Sequence, residues 1–314
     1  MRDKYDRSIN YLRLSVTDLC NLRCKYCMPA EGVPKRSHAE ILSVEEIQEI
    51  VAAAASLGIT KVRITGGEPL VRRGIEEICR RVSQTIGIAE TCLTTNATLL
   101  RKFAAPLREA GVSRLNISLD TLNADLYREI TRGGELAAAL DGIAAAREVG
   151  FDGIKINAVL MRGENDGEIR ALTDLTRDSA THVRFIELMP IGSMAEWSQA
   201  HFLGNSEVLR ALPELEPTQS DGVAQLYKLP NALGFVGLIS PISSHFCPSC
   251  NRVRVTADGR LKPCLHSADE VLLRGLHGDA LRDAMRAAIF AKPRRHHIDE
   301  ATSDSARDMF AIGG

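Results

Sequence analysis

The chain has 314 residues, 45% of them hydrophobic and 25% charged, with 39 Lys+Arg against 40 Asp+Glu. That composition excludes a disordered chain and a basic nucleic-acid coat, and 4% aromatic content argues against a base-stacking platform. The polar start, Met1 to Asn10, has no signal-peptide core and no long apolar run follows, so neither a membrane nor a nucleic-acid partner is expected.

Short apolar runs predict strands over 11–16, 61–65, 90–95, 114–119, 153–160 and 182–188. Helical periodicity predicts helices over 44–57, 74–86, 99–110, 123–130, 135–149 and 166–177. Ser43 with Glu46 is a capping box at the start of the first helix, and Gly58, Gly111 and Gly150 stand where helices should stop. Strands alternating with helices predict an α/β fold with a parallel sheet. About 200 residues are used, short of the ~250 of a complete eight-fold barrel, so a partial six-stranded (β/α) barrel or an open sheet is expected. Functional residues should then lie toward the C-terminal ends of the strands. Beyond Met189 the pattern fades. The stretch 212–235 carries no motif, a hairpin with an Asp258-Gly259 turn is expected at 253–260, and a helix at 281–291. Residues 311–314 read as too flexible to pack, and the basic run 292–297 as solvated surface. The division expected is 1–205, the barrel, and 206–314, a C-terminal extension closing it.

Six of the eight cysteines fall into two triplets. Cys20, Cys24 and Cys27 follow the first strand; Cys247, Cys250 and Cys264 lie near the end. Short spacings let one loop wrap one metal centre, and a reducing cytoplasm is the compartment expected for such thiolates. An iron–sulfur cube takes one thiolate per iron, so three cysteines leave one iron open. Zinc usually takes four protein ligands, and His266 after Cys264 keeps that alternative in play. Cys79 and Cys92 fit no ligand spacing and read as small core residues. Arg13, Lys61, Arg63, Lys155, Arg184, Arg252 and Arg254 lie on or beside strands in apolar stretches. Buried cations are costly unless an anion meets them, so together they point to a site for a polyanion.

Cys20-x3-Cys24-x2-Cys27 with Tyr26 resembles the motif of radical S-adenosylmethionine (SAM) enzymes, as does Gly66-Gly67-Glu68-Pro69 after the second strand. The resemblance implies a [4Fe–4S] cluster on the first triplet and SAM bound near Tyr26, Gly67, Ser118 and Met189. SAM would be cleaved to a 5′-deoxyadenosyl radical. Close approach at the glycines and a Glu68 carboxylate meeting the SAM ammonium are the expected physics.

The similarity extends nearly end to end to one family, the GTP 3′,8-cyclases of molybdenum cofactor biosynthesis. It is carried by Leu14-Ser-Val-Thr-Asp18, Met28-Pro29, Arg63 to Leu70, Asn116 to Asp120, Arg184 to Met189, Ser243 to Cys247, Cys250-Asn-Arg-Val-Arg254 and the final Gly313-Gly314. It implies a second [4Fe–4S] cluster on Cys247, Cys250 and Cys264 that binds guanine. Substrate contacts are implied at Arg13, Arg63, Thr94, Lys155, Arg252, Val253 and Arg254, and catalytic parts for Arg13, Arg252, Arg254, Gly313 and Gly314. The reaction implied is a lyase step. The ribose 3′ hydrogen of GTP is abstracted and the sugar carbon bonds to guanine C8, giving (8S)-3′,8-cyclo-7,8-dihydroguanosine 5′-triphosphate. An electron donor such as flavodoxin or ferredoxin, a cyclic pyranopterin monophosphate synthase acting on the product, and a homodimer are implied partners. Two other readings stay open on the residues: a peptide-modifying radical SAM enzyme with an auxiliary cluster, and a zinc-dependent nucleotide-binding regulator.

Overall fold

The structure is a computed structural model that describes residues 1–34, 36–298 and 303–313. The first six strands form where the apolar runs place them: β1 (Tyr11–Ser15), β2 (Lys61–Thr65), β3 (Glu90–Thr95), β4 (Arg114–Ser118), β5 (Lys155–Leu160) and β6 (His182–Glu187). Between them lie α1 (Val44–Ser56), α2 (Ile75–Gln84), α3 (Leu100–Glu109), the pair α4 (Ala124–Thr131) and α5 (Leu136–Glu148), and α6 (Ile169–Asp174). The capping box is formed: the Glu46 N–H donates to Ser43 Oγ at 3.1 Å, and the Ser43 N–H donates to the Glu46 carboxylate at 2.7 Å. The helix expected over 166–177 is shorter, opening as a 3-10 turn at Asp166–Glu168, where Gly167 is a poor helix former. After β6 come α7 (Ala195–Ala200), α8 (Ser206–Ala211), β7 (Glu216–Pro217), β8 (Gln225–Lys228) and β9 (Phe235–Ile239). The chain continues through β10 (Arg252–Val255), β11 (Arg260–Lys262), β12 (Val271–Leu272), α9 (Gly278–Phe290) and α10 (Met309–Ile312).

All strands join one twelve-stranded sheet in the order β12-β11-β10-β1-β2-β3-β4-β5-β6-β9-β8-β7. The strands β10-β1-β2-β3-β4-β5-β6-β9 run parallel, so the six-stranded partial barrel expected from the sequence is present and lengthened at both edges. β9 and β10 belong to the C-terminal part of the chain, and they do not pair with each other. The expected Asp258-Gly259 hairpin joins β10 to β11, with Val255 opposite Leu261.

Alternation along the strands decides what each face holds. Leu12, Leu14, Val62, Ile64, Leu93, Leu115, Ile117, Ile156, Val183, Phe185, Val253 and Val255 all belong to the main apolar core. The intervening residues face the opposite side, toward the lumen of the curved sheet, and they carry the polar and charged groups.

Two expectations about the C-terminal region are corrected. Residues 311–313 do pack. Phe310, Ala311 and Ile312 are buried, against Met28 in one cluster and against Ile191 and Ile298 in another, because apolar burial outweighs chain flexibility. The run 292–297 is a solvated face only in part: Arg294, Arg295 and His297 are exposed, but Lys292 and His296 are buried. Lys292 is 2% exposed, and its Nζ donates to the carbonyls of Arg252 at 2.9 Å and Pro263 at 2.6 Å. Arg7, paired with Asp3, donates to the carbonyls of Cys247, Pro293 and Arg294, so this run is stitched to the second cysteine loop. Cys79 and Cys92 are fully buried as expected. Cys92 pairs across the sheet with Arg63, which puts it beneath the lumen rather than among the helices.

Candidate active site

A cavity of about 490 Å³ occupies the lumen. Its wall takes alternate residues from successive strands: Tyr11 and Arg13, Lys61, Arg63 and Thr65, Thr94, Arg114, Asn116 and Ser118, Lys155, Asn157 and Val159, Arg184 and Ile186, Arg252 and Arg254. Both cysteine triplets line the same cavity, as do Tyr26, Gly67 and Met189. Of the residues singled out in the sequence, Val253 stands apart. Strand alternation turns its side chain into the apolar core, away from the cavity wall. Gly314 lies outside the described residues.

The first triplet rides on a loop pinned from several sides. The backbone N–H groups of Arg23 and Lys25 donate to the Thr131 and Ile130 carbonyls at the end of α4. Lys25 is bridged to Glu129 at 2.7 Å and Glu164 at 3.1 Å, and Arg132 donates to the Met28 carbonyl. The three thiols are free, line the cavity and influence one another electrostatically. Burial pushes Cys20 up to about 11 and Cys27 to about 12, with the Cys20 sulfur adding to the rise at Cys27. Cys24 is raised well above the usual thiol range by burial, then by Asp120 and its sister cysteines. Thiolates gathered so closely call for a shared cationic partner. The Leu22 N–H at 3.3 Å and Asn96 Nδ2 at 3.8 Å already donate to the Cys20 sulfur.

Gly66 and Gly67 hold this loop in place. A Cβ at Gly67 would lie 2.5 Å from the Leu19 carbonyl oxygen, and one at Gly66 2.6 Å from that of Thr17. The tight approach lets the Gly67 and Glu68 N–H groups donate to the Thr17 and Leu19 carbonyls, both at 2.8 Å, immediately before Cys20. Glu68 lines the cavity and also acts as a strut. Its oxygens accept from Leu70 N at 3.0 Å, Thr95 Oγ1 at 2.8 Å and Asn96 N at 2.7 Å, tying the end of β2 to the end of β3. Burial lifts this carboxyl to about 7 against those bonds. Tyr26 donates to Asp120 at 2.8 Å, and Asp120 also accepts from the Val159 N–H at 2.9 Å, which fixes the phenol over the strand ends. Glu187, which carried no expectation, is fully buried. It accepts from the N–H groups of Asn205, Ile242 and Ser243, and so anchors the segment leading to the second triplet.

In the second triplet the electrostatics differ. Cys247 is pushed up by burial and by Cys264 and Cys250, while Cys250 is held below the usual range because Lys292 and Arg252 outweigh its burial. A thiolate is thus favoured at Cys250. His266 Nδ1 lies 3.2 Å from Ser303 Oγ and its ring meets His296 at 4.7 Å, and His266 is not among the residues whose ligand atoms gather at Cys247. Ligand atoms of His245, Cys247 and His296 do fall within 4.8 Å of one another, a grouping that shares Cys247 with the triplet. Two sets of three thiols, each with one side toward a common cavity, fit two clusters with an open iron better than a closed four-ligand zinc site.

The cations between the triplets form a layer. Arg13 is in register with both Arg63 and Arg254, and Tyr11 with Lys61 and Arg252. Arg63 donates to the Tyr11 hydroxyl and reaches Thr94 Oγ1 at 3.5 Å. Burial pushes Tyr11 up, but Arg63, Arg13 and Arg252 around it prevail and hold the phenol at about 8. Arg254 is lowered to about 10 by burial and by Arg252, and Arg13 falls well below its ordinary value through burial and Arg254. Lys61 is paired with Glu90 at 2.6 Å. Lys155 and Arg184 share one carboxylate, that of Asp221, from the stretch that carried no motif.

At the layer's centre the chain's own end enters. The Gly313 carbonyl accepts from Arg13 Nε at 3.3 Å, Arg13 Nη2 at 3.2 Å and Arg254 Nη1 at 3.1 Å. Gly313 has φ +79°, and a Cβ there would lie 2.4 Å from Thr65 Oγ1, so only glycine seats against the C-terminal ends of β1 and β2.

Comparison with known proteins agrees with this geometry. Residues 14–176 match the Radical SAM superfamily, and residues 181–298 match the family described as Molybdenum Cofactor Synthesis C. The chain is 50% identical to the GTP 3′,8-cyclase of Alkaliphilus oremlandii over 100% of both chains, and 48% identical to that of Geobacter sulfurreducens over 99% of both. In fold it is similar to Streptococcus suis SuiB, with a TM-score of 0.62 at 17% identity, covering 98% of this chain and 78% of that one. The chain therefore belongs to the GTP 3′,8-cyclase family within the radical SAM superfamily.

Proposed function

We infer that this chain carries out the GTP 3′,8-cyclase reaction, the first step of molybdenum cofactor biosynthesis, and that the lumen holds GTP between two clusters. The observation that carries the reading is the single cavity walled by two cysteine triplets with a layer of cations between them. Cys20, Cys24 and Cys27 would hold one [4Fe–4S] cluster, and Cys247, Cys250 and Cys264 a second. Bound there with SAM, the first cluster supplies the 5′-deoxyadenosyl radical that takes the ribose 3′ hydrogen of GTP.

The remaining work falls to this chain's residues. Arg63, Lys155 and Arg184 bind the triphosphate, with Thr94 beside them, because guanidinium and ammonium groups suit phosphate oxygens. Arg13, Arg252 and Arg254 hold the nucleoside end, and the Gly313 carbonyl fixes the Arg13 and Arg254 guanidiniums. Tyr26, Gly67, Ser118 and Met189 shape the SAM side. Burial of the site keeps water and other quenching groups from the reacting carbons. In this reading 1–205 generates the radical and 206–314 holds the base. A lyase working in the cytoplasm, a flavodoxin- or ferredoxin-like donor, a homodimer, and a cyclic pyranopterin monophosphate synthase consuming the product belong to the same proposal. No helix among the described residues is long and apolar enough to cross a membrane.

Anaerobic incubation with GTP, SAM and a reductant tests it: 5′-deoxyadenosine and an 8-cyclised GTP should form together, and absence of both would sink the reading. The site also fixes a pH dependence. Burial, then Arg184, lowers Lys155 to about 8, and Tyr11 also stands at about 8. Below that pH the lysine is charged and the phenol neutral. As pH rises through it, the cavity loses a cation and gains an anion, and both changes oppose a polyanion. GTP affinity should fall above about pH 8 with a log–log slope between one and two. In Tyr11→Phe the slope should drop toward one, and a flat profile in the parent would refute the assignment.

A further inference from the structure

The phosphate-facing cations already have an anion between them. Asp221 stands in a turn before β8, closed by its N–H to the Ala224 carbonyl at 2.9 Å and the return bond at 3.1 Å. One of its carboxylate oxygens, Oδ2, meets both Lys155 Nζ, at 2.5 Å, and Arg184 Nη2. The two cations are buried, with side chains 6% and 10% exposed, whereas the Asp221 side chain is 43% exposed. The cations therefore belong to the rigid strands β5 and β6, and the carboxylate reaches them from the solvent side on a short hairpin turn.

The arrangement is also incomplete. Arg184 Nε is buried and finds no hydrogen-bond partner among the described residues. One carboxylate faces two cations that repel each other, and burial lowers both, Lys155 to about 8 and Arg184 to about 10. A triphosphate brings more charge and more acceptor oxygens than one carboxylate. It competes with Asp221 for the Lys155 and Arg184 donors that the carboxylate holds.

We propose that Asp221 is a resident anion which the substrate's phosphate chain displaces from Lys155 and Arg184, and which returns as the product departs. The proposal rests on the GTP reading above. It makes Asp221 an internal competitor. The empty site avoids two uncompensated buried cations, and affinity for the phosphate chain is lowered by the fraction of protein in which the aspartate is docked. In the proposed reaction the product keeps its phosphates, so the same competition eases its release.

The test is equilibrium binding to the full chain, handled anaerobically with its clusters, of inorganic tripolyphosphate, GTP and guanosine. Parent, Asp221→Asn and Asp221→Ser are compared, two substitutions at an exposed turn so that either suffices if one misfolds. Both variants should bind tripolyphosphate and GTP about tenfold more tightly, with guanosine unchanged. In turnover KM should fall while kcat does not rise. Equal affinities in parent and variants would overturn the proposal, and weaker binding by the variants would too, since Asp221 would then help to hold the phosphates. If no protein in the set binds GTP, the GTP reading fails and the proposal with it.

Discussion

Cys24→Ala should abolish SAM cleavage, lowering 5′-deoxyadenosine formation by at least about 10³-fold, the scale on which removing one member of a functional unit disables the whole. Cys250→Ala should behave differently. The first triplet is intact in that variant, so some reductive cleavage of SAM should persist, but the cyclised GTP product should vanish. Iron content after anaerobic reconstitution should drop from about eight to about four per chain in each variant, as expected for one cube per triplet. Cys79→Ala serves as a control, because Cys79 is fully buried on α2 and lies in the apolar core. It should lose some stability and no iron. The surroundings of Cys24 and Cys250 differ as well. Burial and its sister thiols push Cys24 up, so without a metal its thiolate is strongly disfavoured. Cys250 lies beside Lys292 and Arg252, which favour its thiolate. Undiminished iron in Cys250→Ala would show that the second triplet holds no cluster.

Much of this site could be read from the sequence because its determinants are local. Thiolate spacing within one loop survives any detail of tertiary structure. The period-two alternation of Leu12-Arg13-Leu14 or Val62-Arg63-Ile64 already separates a helix-facing set from a lumen-facing set, and the structure puts Arg13 and Arg63 side by side. The same alternation turns the Val253 side chain into the core, between Arg252 and Arg254, which line the cavity. What could not be read depends on where distant segments meet. Nothing in the stretch around Asp221 announces that its hairpin places a carboxylate on Lys155 and Arg184, whose strands lie far off in the chain. Lys292 looks like part of a surface run because buried lysines are rare, and only the fold supplies the carbonyls that satisfy it. Glu68 shows a second duty that the motif does not announce: its oxygens accept from Leu70, Thr95 and Asn96, so it also sets the loop geometry. At the tail, a signal was present and outweighed: Met309-Phe-Ala-Ile312 is an apolar run, but Gly-Gly beside it suggested fraying.

That tail is the setting of the second large effect. Deleting Gly313 and Gly314 should lower kcat about 10²-fold, the cost of slightly misplacing reacting groups, while GTP affinity changes much less. Stability should fall by about 1–3 kcal/mol, the cost of stranding the Arg13 and Arg254 donors, and no further, because the tail's other anchors precede the deletion. Arg307 meets Asp258 at 2.9 Å and Glu270 at 2.6 Å. Asp308 accepts from the Ser193 N–H at 2.6 Å and its hydroxyl at 2.7 Å, and Phe310 and Ile312 are buried. The deletion thus removes a carbonyl that orients the Arg13 and Arg254 guanidiniums, two like charges that would otherwise push apart. Arg307→Ala makes the complementary cut. It leaves the glycines and loosens what seats them, at a cost of about 1–3 kcal/mol for the bonds it strands, and Lys262 remains to compensate Glu270 at 3.1 Å. Hydrogen exchange over 303–313 should accelerate in that variant and kcat should fall with it. If the two-residue deletion turns over GTP like the parent, the tail is a structural seal and the orienting argument is wrong. If Arg307→Ala exchanges faster at full kcat, the carbonyl reaches its place without the clasp.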